Sequence, residues 1–256
     1  MAEGLDGLGF ALRAGDLFWV QQDMAALAMH AGGSLAAARW ATADRPSSSG
    51  LLFWQGGIGT MDARGVSIPV EACAWAPHET GMLLWLLMSR DRFAAEIKNR
   101  YTVPTDTVPP LMPIYGAVLP VTAEPVSFAE DDSGLPQTIV AALAAAWLLM
   151  QQPLLIDRTT ERADKTTARA DTRDGLSSPR VSVVDLRRQY APQDQDSDTD
   201  GPGSRYRHRW VVSGHWRDQA YGPDRSLRRR TWIPAYVKGP EGAPLLATEK
   251  VNVWRR

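Results

Sequence analysis

The sequence predicts an α+β protein, with an N-terminal antiparallel meander and helices followed by a small C-terminal β-rich basic module. Three observations carry this expectation. The runs GLLFWQ, GVSIPVEACAW and GMLLWLLMSR are apolar or alternating and are separated by QGGIGTMDAR and APHET, the pattern of a meander. LPQTIVAALAAAWLLMQQ reads as a helix, with Pro136 near its first turn and Pro153 after it. The third is RYRHRWVVSGHWR, Arg205 to Arg217, which sorts cleanly when its side chains are alternated between two faces. One face carries Arg205, Arg207, Arg209, Val211, Ser213, His215 and Arg217. The other carries Tyr206, His208, Trp210, Val212, Gly214 and Trp216. A helix would scatter the two tryptophans among the arginines, so one continuous strand is expected, with its aromatic face on a core.

Taken in order, Leu17 to Trp40 has Ala and Leu at helical spacing with a Gly32-Gly33 break, giving one helix or two short ones. The meander follows, with Pro69 marking an edge position or a bulge. DRFAAEIKNRY reads as a short helix, and TVPTDTVPPLMP as an irregular proline-rich crossing. After the long helix, DRTTERADKTTARADTRDGLSSP is polar on all sides and alternates in sign, as a solvated helical extension or a linker would. VSVVDLRRQY reads as a strand, and APQDQDSDTDGPGS as a disordered acidic loop. The basic strand, the loop DQAYGPDRSLRRR, and the strands TWIPAYVKG and KVNVWRR complete the chain. The domain organisation that results is an acidic α+β domain over 1–175, a strand and acidic linker over 176–203, and a basic β-rich module over 204–256.

With 256 residues, 44% hydrophobic residues and ten tryptophans, the chain can bury a substantial core. Its longest apolar run, Ile139 to Met150, has twelve residues, short of the roughly 18 to 20 that cross a bilayer. The N-terminal residues lack the pattern of a signal peptide, so a soluble cytoplasmic protein is expected, with no membrane partner. One cysteine, Cys73, in an apolar stretch excludes an intrachain disulfide and a cysteine-based zinc cluster. The net charge of −1 conceals an asymmetry: residues 1–179 hold 13 Lys and Arg against 20 Asp and Glu, and residues 204–256 hold 12 against 4. Codon bias would enrich both regions alike, so this clustering points to the C-terminal module as a cationic surface.

QGGIGT lacks the lysine and the strand-to-helix setting of a phosphate-binding loop, and a hairpin turn accounts for it. No HExxH or CxxC spacing occurs, and the alternating aspartates of DQDSDTDG resemble a calcium loop without its twelfth-position Glu, since the twelfth residue counted from Asp194 is Arg205, so neither a metal nor a cofactor is expected. Candidate nucleic-acid-binding residues are Arg205, Arg207, Arg209, Arg217, Arg228, Arg229, Arg230, Tyr236 and Lys238, because clustered guanidinium groups hold phosphates and release counterions. Parity also places His215 among the arginines. Beside Tyr221, Arg229, Tyr236 and Lys238 it has the parts of a metal-free phosphodiester-cleaving site, a proton shuttle with cations and phenols. The simpler alternative is a strand histidine that hydrogen-bonds a loop carbonyl.

Two blocks, AAAWLLMQQPL (Ala144 to Leu154) and HRWVVSGHWRDQAYGPDRSLRRRTWIPAYVKGPEGAPL (His208 to Leu245), resemble a group of uncharacterised proteins of actinomycete genomes and their mobile elements. The resemblance implies no activity, cofactor or site.

Three functional readings follow. The first is a nucleic-acid-binding protein whose arginine face holds DNA or RNA backbone. The second is a metal-independent ribonuclease with His215 as acid or base. The third is an interaction module whose basic surface docks an acidic partner, including the N-terminal domain of another copy in a homo-oligomer.

Overall fold

A helix that is apolar all round belongs inside a protein, and Gln137–Met150 obeys this rule: ten of its residues, including Trp147, are buried. The computed structural model describes residues 8–9, 13, 15–35, 39–63, 65–97, 108–120, 126–127, 134–175, 178–187, 210–234 and 236–238. The chain divides into two units, Met1–Arg188 and Gln189–Arg256. Its helices and mixed sheet make it an α+β protein, as the sequence predicts.

In chain order the first unit comprises β1 (Asp16–Val20), α1 (Gln22–Gly33), β2 (Arg39–Trp40), β3 (Gly50–Trp54), β4 (Gly59–Ala63), β5 (Val66–Val70), β6 (Ala72–His78), β7 (Gly81–Ser89), α2 (Arg90–Ile97), β8 (Leu111–Leu119), β9 (Val126–Ser127), α3 (Gln137–Met150), β10 (Ile156–Arg162), α4 (Lys165–Arg173) and β11 (Arg180–Leu186). Seven strands form one sheet in the order β10-β11-β1-β3-β6-β7-β8. β1 is parallel to both of its neighbours, and the remaining pairs are antiparallel.

The expected meander is present as β3, β6 and β7, with the β4–β5 hairpin inserted after β3. QGGIGTMDAR therefore holds a strand as well as a turn. The run read as one strand, GVSIPVEACAW, is two, divided at Glu71. There the main chain accepts from Trp54 N and donates to Leu87 O, while the carboxylate accepts from Ser89 N at 2.9 Å and Ser89 Oγ at 2.6 Å. Pro69 lies in β5, which among the described residues pairs only with β4, so its missing amide disturbs no second ladder there.

Three further expectations are corrected. Residues 17–20, read as the start of a helix, are strand β1, because DLFWV pairs with β11 on one side and β3 on the other. The polar stretch after Pro153 is neither helix extension nor linker: it forms edge strand β10 and the exposed helix α4. β8 occupies a segment to which the sequence assigned no strand, and its register shifts between Leu86 and Leu87, where the partner is Pro113. The expected strand VSVVDL joins the large sheet beside β1 as β11.

Aromatic rings fill the layer between sheet and helices. Trp75 lies 4.9 Å from Trp147 in an edge-to-face pair and 6.0 Å from Phe18, and its indole Nε1 donates to Ser47 O at 3.0 Å. α1 crosses α3 at Gly32, where a side chain would come within 2.8 Å of the Ala142 backbone. Cys73 is fully buried, and burial pushes its thiol up. Asp164 caps α4, accepting from Thr166 N at 2.7 Å and Thr167 N at 3.1 Å. These bonds, led by that from the Thr167 amide, hold its carboxyl below the usual range.

The second unit contains β12 (Trp210–Val212), β13 (His215–Tyr221), β14 (Leu227–Ile233) and β15 (Tyr236–Lys238), paired as β12–β15 and β13–β14. The loop APQDQDSDTDGPGS and the strand KVNVWRR lie outside the described residues.

Candidate nucleic-acid interface

The expected continuous strand ends at Val212 and resumes at His215 in a different two-stranded sheet. Gly214 stands at the break, and the reason is packing: a side chain there would come within 2.6 Å of the Trp232 indole. Trp232 is 3% exposed and meets Trp216 across the hairpin at 5.2 Å, edge to face. This cross-strand pair, Trp216 opposite Trp232, anchors β13 to β14.

Alternation along the ladder then divides the candidate residues between two faces. The pairs Trp216–Trp232, Asp218–Arg230 and Ala220–Arg228 share one face; His215–Ile233, Arg217–Thr231, Gln219–Arg229 and Tyr221–Leu227 share the other. The basic cluster is therefore split. Arg230 is engaged by Asp218 in a bidentate pair, Nε to Oδ1 at 2.7 Å and Nη2 to Oδ2 at 3.0 Å. Arg228 donates to the carbonyls of Arg225 at 2.7 Å and Leu227 at 3.2 Å, closing the turn where Asp224 and Arg225 have positive φ.

On the opposite face the Arg229 guanidinium lies 5.5 Å from the centre of the Tyr221 ring. Arg217 is its diagonal neighbour, two positions along and one strand across, about 8 Å away between backbones. Arg217, Arg229 and Tyr221 are all exposed or at the surface. The hairpin thus gathers two of the sequence candidates, Arg217 and Arg229, with Tyr221, on one accessible face. Tyr236 and Lys238 stand in β15 opposite Val212 and Trp210. Arg205, Arg207 and Arg209 lie outside the described residues.

His215 begins β13 and is exposed, with Nδ1 3.0 Å from the Ser213 carbonyl oxygen. That contact is the local hydrogen bond of the simpler reading. Tyr221 is six residues further along the same strand, about 20 Å away, and Arg229 is four positions distant, about 13 Å. The extended ladder therefore keeps His215 apart from Tyr221 and Arg229. Sequence reasoning missed Asp218 as the partner of Arg230, because that pairing depends on the hairpin register.

Among the described residues no group of three or more His, Cys, Asp or Glu could hold a metal ion, and no helix is long and apolar enough to cross a membrane. A family model described as "AcrVA2-like: Anti-CRISPR type V subtype A2 family" matches residues 129–239. The match runs from before α3 to the end of β15, so it includes the whole β13–β14 hairpin. The first of the two blocks likened to mobile-element proteins lies inside it and the second largely so. No curated protein matches the chain.

Proposed function

We propose that this chain is an anti-CRISPR-type protein that binds a CRISPR effector complex through nucleic-acid backbone, gripped by the Arg217, Arg229 and Tyr221 face of β13–β14. The class comes from the family to which residues 129–239 are similar. The observation that carries the mode of binding is the shared face of the hairpin, where Arg217 lies diagonally across from Arg229 and the Arg229 guanidinium stacks on the exposed Tyr221. Guanidinium groups paired with a π surface suit phosphate and unpaired bases together. CRISPR effectors carry a guide RNA and handle displaced single strands, so both ligands are present in the complex.

The test is binding of guide-length RNA and single-stranded DNA at about 50 and 200 mM salt, over which phosphate-driven affinity falls steeply. Arg217→Ala and Arg229→Ala are expected to weaken binding to all sequences alike and each to flatten the salt slope by about one unit. Affinity of both variants equal to wild type at every salt concentration would reject this face as the interface.

A further inference from the structure

The first unit contains a cleft of about 310 Å³ lined by Trp19, Gln21, Glu161, Arg162, Pro179 and Val181, with Ala163 and Val183 beside them. It lies wholly on strands β1, β10 and β11 and the residues that flank them. Trp19 stacks on its cross-strand neighbour Phe53 at 4.7 Å and 11° between planes. One ring face is occupied by Phe53, so the other looks toward β11, the neighbour on the opposite side. Val181 and Val183 of β11 are short there and leave space. Beyond them, Glu161 of β10 stands opposite Val181. Trp19 is level with Val183, so Glu161 lies two strand spacings across, about 9.5 Å, and two residues along, about 6.6 Å, or about 11.6 Å between backbones, and a flat group fits between indole and carboxylate. Strand alternation sends Arg162 to the face opposite Glu161. Both residues line the cleft, and Glu161 is the lining carboxylate on the same face of the sheet as Trp19.

We infer that this cleft is a binding site for an arginine side chain of a basic partner protein, stacked on Trp19 and paired with Glu161. Three features select that ligand. An indole face backed by a second ring attracts a planar cation more strongly than any other side-chain surface. A carboxylate on the same face, two residues along from the indole's rung, accepts the guanidinium fork bidentately, and the valine floor takes the aliphatic stem. The unit as a whole is acidic, with 16 Lys and Arg against 21 Asp and Glu over residues 1–188, which favours a cation over a phosphorylated ligand. The inference stands on the first unit alone and is independent of the β13–β14 face.

The test uses the full chain and three probes: Nα-acetyl-arginine methylamide, its lysine counterpart and AMP. The readout is the set of tryptophan indole N–H resonances, with that of Trp19 identified by its loss in Trp19→Phe. The arginine probe is expected to shift the Trp19 resonance saturably and more tightly than the lysine probe, and Glu161→Gln to weaken it about tenfold, the loss of one charge-assisted pair. Glu161 is exposed, so this substitution leaves the fold intact and a loss of binding cannot be attributed to unfolding. No saturable shift with arginine, an unchanged affinity in Glu161→Gln, or tighter binding of AMP than of arginine would each overturn the inference, the last in favour of a nucleotide site.

Discussion

Two tryptophan pairs sit in opposite surroundings. Trp75 and Trp147 meet where a seven-stranded sheet faces a helix buried all round, and both are fully buried. Trp216 and Trp232 meet with similar geometry on a two-stranded ribbon, where Trp216 stays half-buried and charged residues occupy the neighbouring rungs. The first pair belongs to a core that supplies stability. The second holds together a two-stranded ribbon whose outward residues are largely exposed, and the proposed interface lies on that ribbon.

The sharpest way to break the comparison is to truncate one ring of each pair. Trp147→Ala is expected to destabilise the first unit by about 3 to 5 kcal/mol, the usual cost of emptying a large buried site. Trp216→Ala should cost less, about 1 to 2 kcal/mol, since a half-buried ring gives up an aromatic pair and part of its burial. Denaturant melts read both, and equal losses at the two sites would erase the distinction. Asp218→Ala sharpens the picture from the surface side. The Asp218–Arg230 pair is largely solvated, with side chains 54% and 30% exposed, and should contribute at most about 1 kcal/mol. The same variant changes only the face opposite Arg217 and Arg229 and is expected to leave the salt slope of nucleic-acid binding near wild type.

The smallest effect is confined to α4. Asp164 has a carboxyl pKa below its ordinary value in the folded chain, so its contribution to capping is present above the unfolded pKa and is lost as pH falls through the folded one. Hydrogen exchange at the Thr166 and Thr167 amides should therefore accelerate in acid relative to the intrinsic rate, and Asp164→Ala should abolish that pH dependence.

The same contrast explains what was legible in the sequence. α3 was readable because its apolar run can only be a buried helix, and β3 and β7 because their runs lie inside the sheet. β10 was misread because six of its seven residues are exposed: it is a strand through its ladder with β11, not through any hydrophobic alternation. LRRR looked like a loop for a related reason, since its strand character comes from facing Asp218, Gln219 and Ala220 across the hairpin. Within β13 the alternation holds, with Trp216 on one face and His215 and Arg217 on the other, but the basic strand was taken as continuous, because the ring of Trp232 over Gly214 is a contact between residues eighteen positions apart. The candidate site suffered most from this. Types and parity placed Arg217 and Arg229 among the cations, whereas the assignment of Arg228 and Arg230 to the other face required the register.

The most direct test of the account is a comparison of four variants in one salt titration against single-stranded RNA: Arg217→Ala and Arg229→Ala on the proposed face, and Arg228→Ala and Arg230→Ala on the other. The account predicts that the first two each reduce the slope of log affinity against log salt by about one unit, and that the second two leave it near wild type. Four equal reductions, or a wild-type chain that binds no nucleic acid at about 50 mM salt, would contradict it.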